Sequence, residues 1–240
     1  MNSTADVTVQ WAEARQMPVH FTVETGSTSD DAKSEALQTD REWHLYVTSH
    51  QTKGRGRGSN QWKDTGPGDA LLCTWSCRMV AAPQAITAPR IGLSVFLAAS
   101  KTWPSLNWSL KAPNDLYLSG KKVGGLLVES VTSGDNHRLL VGFGLNVNNH
   151  PRALDAATHL GADLGHSPDE AEWFQFLDEL KAQLGHAVSD IIKPKLSAQV
   201  CSDLRNALNA NAARPFTVTS ISPEGDLLLD SGGVKRWTEL

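Results

Sequence analysis

Cysteine is scarce. Cys73, Cys77 and Cys201 are the three in 240 residues, and none stands in a CxxC or other paired-ligand spacing, which excludes a disulfide framework or a structural zinc site and leaves buried thiols as their expected fate. A basic surplus is missing too. Lys and Arg number 22 against 26 Asp and Glu, a formal charge of −4, whereas a chain devoted to a nucleic-acid backbone usually carries excess positive charge. No stretch approaches ~18 uninterrupted apolar residues. The N-terminal MNSTADVTVQWAEARQMPV lacks a cationic head followed by an apolar core, so neither a membrane span nor a secretory signal is expected and the expected location is cytoplasmic. What is present, 40% hydrophobic and 20% charged residues, suits one sizeable globular catalytic domain, with room for a small appendage.

Against that background Gln51 to Trp62, QTKGRGRGSNQW, stands out as a local basic exception after the strand-like Leu45, Tyr46 and Val47. Gly54, Gly56 and Gly58 let successive N–H groups turn toward one point, and Arg55 and Arg57 add guanidinium forks matched to phosphate or carboxylate. The same string also reads as a flexible basic loop or a nucleic-acid patch. Both readings stay open on the loop alone.

Around it the spacing gives strands at His20 to Glu24, Trp43 to Ser49, Ala70 to Arg78, Asn107 to Leu110, Gly124 to Val131 and Leu139 to Val147. Residues 1 to 18 are too short for an independent helix-turn-helix domain. In TGSTSDDAKSEAL, Ser27, Thr28 or Ser29 can cap a helix with Asp30 and Asp31 in its first turn. A core helix runs from Pro89 to Pro104, and Ser119-Gly120 closes a hairpin leading to Lys121 and Lys122. Gly142 and Gly144 share one strand face, which marks either a close approach or a bulge. Asn148 to His166 reads as loop. A helix is expected with Ser167 as N-cap, Pro168 at its first position and Glu170 in a capping box. A polar helix from Leu196 to about Ala213 follows. The tail gives strands at Phe216 to Ile221 and Leu227 to Asp230 and a last one near Trp237, with a domain boundary at residues 213 and 214.

Four segments in order, ETGSTSDDA, QTKGRGRG with Trp62, KAPNDLYLSGKKVGGLLVE and VGFGLNVN, make the chain resemble the biotin protein ligases, in a short form without an N-terminal DNA-binding domain. The likeness runs from about His20 to Gly165, and GDLLLDSGGVKRW resembles the start of the family's SH3-like unit. It implies an α+β fold: a class II synthetase-like mixed or antiparallel sheet flanked by helices, with a reduced SH3-like β segment after a catalytic domain at 1–213. The implied substrates are biotin and ATP, with Mg²⁺ on the phosphates near Asp115. The implied reaction forms biotinyl-AMP, then transfers biotin to a lysine of a biotin carboxyl carrier protein.

Residue by residue, the resemblance puts Ser27, Thr28 and Gln51 at the ureido ring of biotin. Gly54, Arg55, Gly56 and Arg57 match the loop over carboxylate and phosphate, and Trp62 an aromatic over the ligand. Lys122, with Arg57, is the implied catalytic cation. Gly125, Leu127, Gly142 and Gly144 match the biotin-pocket wall, and Lys111, Asn114, Asp115 and Asn146 the nucleotide side. Taken alone, Lys122 reads equally as a solvated lysine after a hairpin. Two departures stand out. Asn60 replaces an arginine usual after the loop, and Ala112 replaces the tryptophan of KWPND, so weaker ATP affinity is expected.

Three alternatives remain: a lipoate or octanoate ligase, whose loop lacks GRGRG; a biotin-binding regulator with weak catalysis; and a non-catalytic nucleic-acid module. The charge balance and the lack of interleaved stacking aromatics count against the last. No DNA or membrane partner is expected, and the assembly is a monomer or a homodimer.

Overall fold

The computed structural model describes residues 3–63, 65–151, 156–210 and 215–239. Its centre is a mixed sheet of seven strands in the order β1-β2-β3-β7-β6-β5-β4. The strands are β1 (Val19–Thr25), β2 (Trp43–Gln51), β3 (Ala70–Met79), β4 (Trp108–Lys111), β5 (Asp115–Leu118), β6 (Lys121–Ser133) and β7 (Asn136–Asn146). Only β1 and β2 run parallel in this sheet, and helix α2 (Thr28–Glu35) makes their crossover. The expected mixed, largely antiparallel sheet with flanking helices is present.

Alternation sorts the two faces of the sheet. Leu45 and Val47 of β2, Leu71, Cys73, Trp75 and Cys77 of β3, and Leu139, Val141, Phe143 and Leu145 of β7 enter one large core. Helices α1 (Thr4–Ala14), α3 (Thr87–Thr102), α5 (Glu170–Ser189) and α6 (Ala198–Asn209) supply its other side through Trp11, Ile91, Phe176 and Leu204. The opposite face carries only a small cluster of Ala32 and Ala36 from α2 with Tyr46 and Leu140. That thinly covered face is left for the site.

Several local expectations need correction. Residues 1–18 were given no element, yet α1 forms there, with Ser3 and Asp6 in a reciprocal capping box, and it is tied to α5 by the Trp11 Nε1 donor on Asp178 Oδ1 at 2.9 Å. The long helix starts at Glu170, not Ser167, because Asp169 and Glu172 form the capping box and outcompete the serine. Within the presumed loop from Asn148, Leu160–Leu164 forms a short helix, α4, ended by Gly165 at φ 84°. Asp115 to Leu118 forms a further strand ahead of the hairpin, paired with both β4 and β6. The tail forms a small antiparallel sheet of β8 (Val218–Ile221), β9 (Leu227–Leu229) and β10 (Val234–Lys235), the last being the strand expected near Trp237, and Trp237 itself lies in the 3-10 turn that follows. The boundary at 213 and 214 and the end of the polar helix at Ala213 lie outside the described residues. On its N-terminal side Leu204 and Leu208, and on its C-terminal side Val218, Leu227 and Trp237, join the large core.

Burial decides the fate of the thiols. Cys73 and Cys77 are 2% and 1% exposed, and loss of solvation pushes both up to about 12 from 9.0. Their thiolate populations at neutral pH fall by about a thousandfold. Native protein treated with a thiol reagent at pH 8 is therefore expected to label at Cys201 alone, and at all three positions once denatured. Rapid native labelling of Cys73 would contradict the buried placement.

Candidate functional site

The site begins where β1 ends. Gly26 turns the chain, and Ser27, Thr28 and Ser29 enter α2 almost fully buried, at 2%, 2% and 5% exposure. Ser27 occupies the N-cap position but its hydroxyl makes no capping bond, so this serine is not explained by helix initiation. Thr28 donates its N–H to Gln51 Oε1 at 2.9 Å and shares a hydroxyl contact of 2.9 Å with Thr74. Ser29 meets the same Thr74 hydroxyl at 3.2 Å. Hydroxyl and amide groups from the start of α2 and the end of β2, backed by Thr74 of β3, thus converge at one end of a cavity of about 130 Å³.

The basic loop closes a second side. It folds back on itself as a narrow hairpin: Trp62 N–H donates to Gly54 O at 3.0 Å, Gly56 N–H to Asn60 O at 2.9 Å, and Asn60 N–H to Arg57 O at 3.2 Å. Gly58 at its tip has φ 64°, which a glycine adopts without cost. This fold lays the Trp62 indole across the glycines of β6 and β7. A Cβ added at Gly144 would sit 2.6 Å from Trp62 Cε2, and one at Gly125 would sit 3.2 Å from Trp62 Cζ3. Gly142 does the same for another group, since a Cβ there would meet Ser29 Oγ at 2.6 Å. Of the two readings of these strand glycines, close approach is the one realised. Trp62 Nε1 is buried with no hydrogen-bond partner, so a donor is available inside the cavity.

The two loop arginines differ in their partners. Arg55 makes a bidentate pair with Glu129, at 2.8 Å to each oxygen, and a further bond of 2.9 Å to Asp30. The hydrogen bonds to Glu129 are the main cause that raises its pKa and keeps it protonated. Both carboxylates anchor the start of the loop to α2 and β6. Arg57 reaches the other way, donating from Nη2 to Thr238 O at 3.3 Å.

The third side is the β4-β5-β6 meander. Lys122 Nζ lies 2.7 Å from Asp115 Oδ1 across the hairpin, with side chains 37% and 19% exposed. The backbone of Lys122 is fixed as well: its N–H donates to Ala156 O at 2.8 Å and its C=O accepts from Thr158 N–H at 2.9 Å. Asn114 donates from Nδ2 to Leu126 O at 3.0 Å. In sum, Arg55, Arg57 and Lys122 line the cavity. Arg55 and Lys122 are held by carboxylates, while the described contact of Arg57 is to a carbonyl.

Most residues picked from the sequence come together around this cavity, including Leu127 and Gly56. Gly54, Lys111 and Asn146 do not line it. Gly54 instead packs against the backbone of Trp62, its Cβ position being 2.7 Å from Trp62 O. Lys111 lies over the Tyr117 ring at 5.7 Å. Asn146 is buried and donates to Thr158 O at 2.9 Å, thereby holding the segment that fixes Lys122. Missed by the sequence reading were Ser29, Glu129 and the C-terminal pair Trp237 and Thr238. Glu129 was accessible in principle, because Gly125, Leu127 and Glu129 alternate on one face of β6.

The cavity thus has a hydroxyl and amide end, an indole cover and a cationic end. Residues 25–146 match the model of the biotin/lipoate A/B protein ligase family, and the chain belongs to that family. The biotin-protein ligase 1 of Arabidopsis thaliana chloroplasts is 36% identical over 112 residues, 43% of this chain but 29% of that protein's length. The biotin-[acetyl-CoA-carboxylase] ligase of Mycobacterium tuberculosis is 29% identical over 234 residues, 91% of this chain and 85% of that one. Among solved structures, the biotin protein ligase of Aquifex aeolicus in complex with biotin and ATP superposes with a TM-score of 0.69 at 23% identity, covering 92% of this chain and 96% of that chain. The last likeness speaks for the fold.

Proposed function

We propose that this chain is a biotin-[carboxyl carrier protein] ligase that activates biotin with ATP and passes it to a lysine of a carrier protein. The observation that carries the reading is the Trp62 indole spanning Gly125 and Gly144 between a polar, uncharged end and a cationic end. Biotin has that shape: a polar ureido ring, an apolar middle and a terminal carboxylate. Ser27, Thr28 and Gln51 would bind the ring, Trp62 and Leu127 would cover the apolar part, and Arg57 and Lys122 would meet the carboxylate and the α-phosphate.

In the first step a carboxylate oxygen of biotin attacks the α-phosphorus, and the bond to pyrophosphate breaks. Negative charge gathers where carboxylate and triphosphate meet, and Lys122 and Arg57 offset it without reorganising. In the second step the carrier amine attacks the acyl carbon and AMP leaves. The folded-back loop keeps water off the anhydride until then. Mg²⁺ fits as an ion carried in by the phosphates: among the described residues no group of three or more His, Cys, Asp or Glu could hold a metal alone, and Mg²⁺ commonly uses one or two carboxylates plus substrate oxygens. Asp115 would be its protein ligand, and bound there it supplies neutralising charge. The division into a catalytic unit and a short C-terminal β unit belongs to the same proposal. No described helix is long and apolar enough to cross a membrane.

Lipoate or octanoate is the competing acyl substrate, but an aliphatic tail has no use for the Thr28, Gln51 and Thr74 hydrogen-bond cluster. Isotope exchange between pyrophosphate and ATP is expected with biotin and MgATP, and at background with lipoate or octanoate. Exchange driven by octanoate instead would overturn the assignment.

A further inference from the structure

The ladder between β6 and β7 starts at Gly124, opposite Leu145, just past Lys122. Lys122 has Tyr117 of β5 on one side, and on its other edge residues 156–158 take the place of β7. Ala157 bridges Lys122 in parallel, Ala156 O accepts from Lys122 N–H at 2.8 Å, and Thr158 N–H donates to Lys122 O at 2.9 Å. The strip is held in turn by its neighbours: Thr158 O accepts from Asn146 Nδ2 at 2.9 Å, and Thr158 Oγ1 donates to Asp163 Oδ2 at 3.4 Å. The next residue, His159, occupies the N-cap position of α4, yet its side chain makes no capping bond. That ring meets His150 instead, on the chain leaving β7. The two Nδ1 atoms lie 2.9 Å apart, and the rings stack with centroids 5.2 Å apart and planes 26° from parallel. The pair thus ties the end of the strip beside Lys122 to the chain that follows β7.

We propose that His150 and His159 are positioning residues for Lys122, and that the one proton they share clasps residues 156–158 against it. The inference rests on the ligase reading for what Lys122 does; the clasp itself belongs to the fold. Two Nδ1 atoms at that distance hold a single proton, one ring donating and the other accepting. With both rings protonated, two N–H groups and two positive charges face each other, and the bond breaks. Among the described residues the charged groups that bear on the pair are Asp69, ahead of β3, and Asp163 on α4. Both carboxylates favour a charged His159, but loss of solvation, and then the neighbouring His150, outweigh them and hold its pKa below the ordinary histidine value. A histidine depressed by folding takes up its proton more readily in the unfolded chain. The contribution of the bond is therefore complete above about pH 6.5, the value of a free histidine, and is lost as the pH falls through the lower value of the folded pair. Once the rings separate, the strip loses its tie to the chain after β7. Lys122 Nζ then spends time away from the reacting carboxylate and phosphate, while the polar end of the cavity at Ser27, Thr28 and Gln51 is untouched.

The test uses the full chain, as wild type and carrying His150→Asn or His150→Ala, each checked for a native melting transition. The asparagine puts an amide where Nδ1 stood, so it keeps a hydrogen-bonding atom and takes up no second proton. Amide hydrogen exchange at Lys122 and Thr158, expressed as protection factors, reads the clasp without any substrate. Between about pH 8 and about pH 5 the protection is expected to fall about tenfold in wild type, to stay within about twofold in His150→Asn, and to be low and independent of pH in His150→Ala. In biotin-dependent pyrophosphate exchange, dividing the rate of His150→Asn by that of wild type cancels the titration of the nucleotide. That ratio is expected to rise about tenfold over the same pH range, in kcat and not in KM for biotin. Protection that does not change with pH in wild type, or that is lost equally in all three proteins, would overturn the proposal. So would an acid loss shared by kcat and KM, which marks a merely structural pair. Should wild type show no biotin-dependent exchange at any pH, the ligase reading fails by itself, and amide protection still decides the clasp. If His150→Ala does not fold, wild type against His150→Asn carries the comparison.

Discussion

Lys122→Ala is expected to lower biotin-dependent pyrophosphate exchange by about 10²–10³-fold, the usual effect of removing one preorganised group that meets developing charge. Biotin affinity should move by less than about threefold, because the lysine is assigned to the charge that appears during the reaction. The geometry makes the substitution costlier than the loss of one cation. Lys122 Nζ is paired with Asp115 at 2.7 Å, so the alanine leaves a partly buried carboxylate unopposed beside the incoming triphosphate. Exchange at the wild-type rate in Lys122→Ala would remove Lys122 from the reaction. Equal losses in biotin affinity and exchange rate would make it a binding residue instead.

Adding a single methyl at Gly144 is expected to weaken biotin binding by about tenfold to a hundredfold. Its Cβ would sit 2.6 to 2.9 Å from three atoms of the Trp62 indole, and Trp62 is held by its backbone bond to Gly54. Neither side yields cheaply, and overpacking of this kind costs about 1–3 kcal/mol. The ring must lift, and with it the cover of the cavity and the C-terminal half of the hairpin. A double-mutant cycle isolates the cause: in a Trp62→Ala background, Gly144→Ala should add almost nothing to the loss. A full additive penalty in that background would place the damage in the sheet rather than in the indole contact. Calorimetric titration with biotin measures both arms.

Much of the site was legible because its parts are local. Glycines at 54, 56 and 58, the hydroxyl run at Ser27 to Ser29 and the turn at Ser119-Gly120 each need a particular backbone within a few residues, and local spacing records that need. The strand glycines were found for the same reason, although what approaches them was open until Trp62 was seen lying across Gly144. The helix start at Asp169 was misplaced for a local reason too: two overlapping capping signals compete within three residues, and the one with a reciprocal side-chain bond formed. Helix α1 gave a weaker signal. Its docking rests on Trp11 meeting Asp178, 167 positions away, and sequence spacing does not register such a contact.

The sequence by itself determined the order of the strands' chemistry: which segments carry hydroxyls, glycines and cations, and hence a resemblance and a substrate class. Only the tertiary structure decided which cations are engaged by carboxylates and which are not. Arg55 and Arg57 stand in one GRGRG string and look equivalent there. The fold brings Glu129, 74 residues on, to the first, and the Thr238 carbonyl, 181 residues on, to the second. The physical reason is that Coulomb and hydrogen-bond energies depend on distance in space. Alternation along β6 points Glu129 at the loop, and the core packing of Trp237 brings the C-terminal turn to the other edge of the cavity. No run of neighbouring residues encodes either distance.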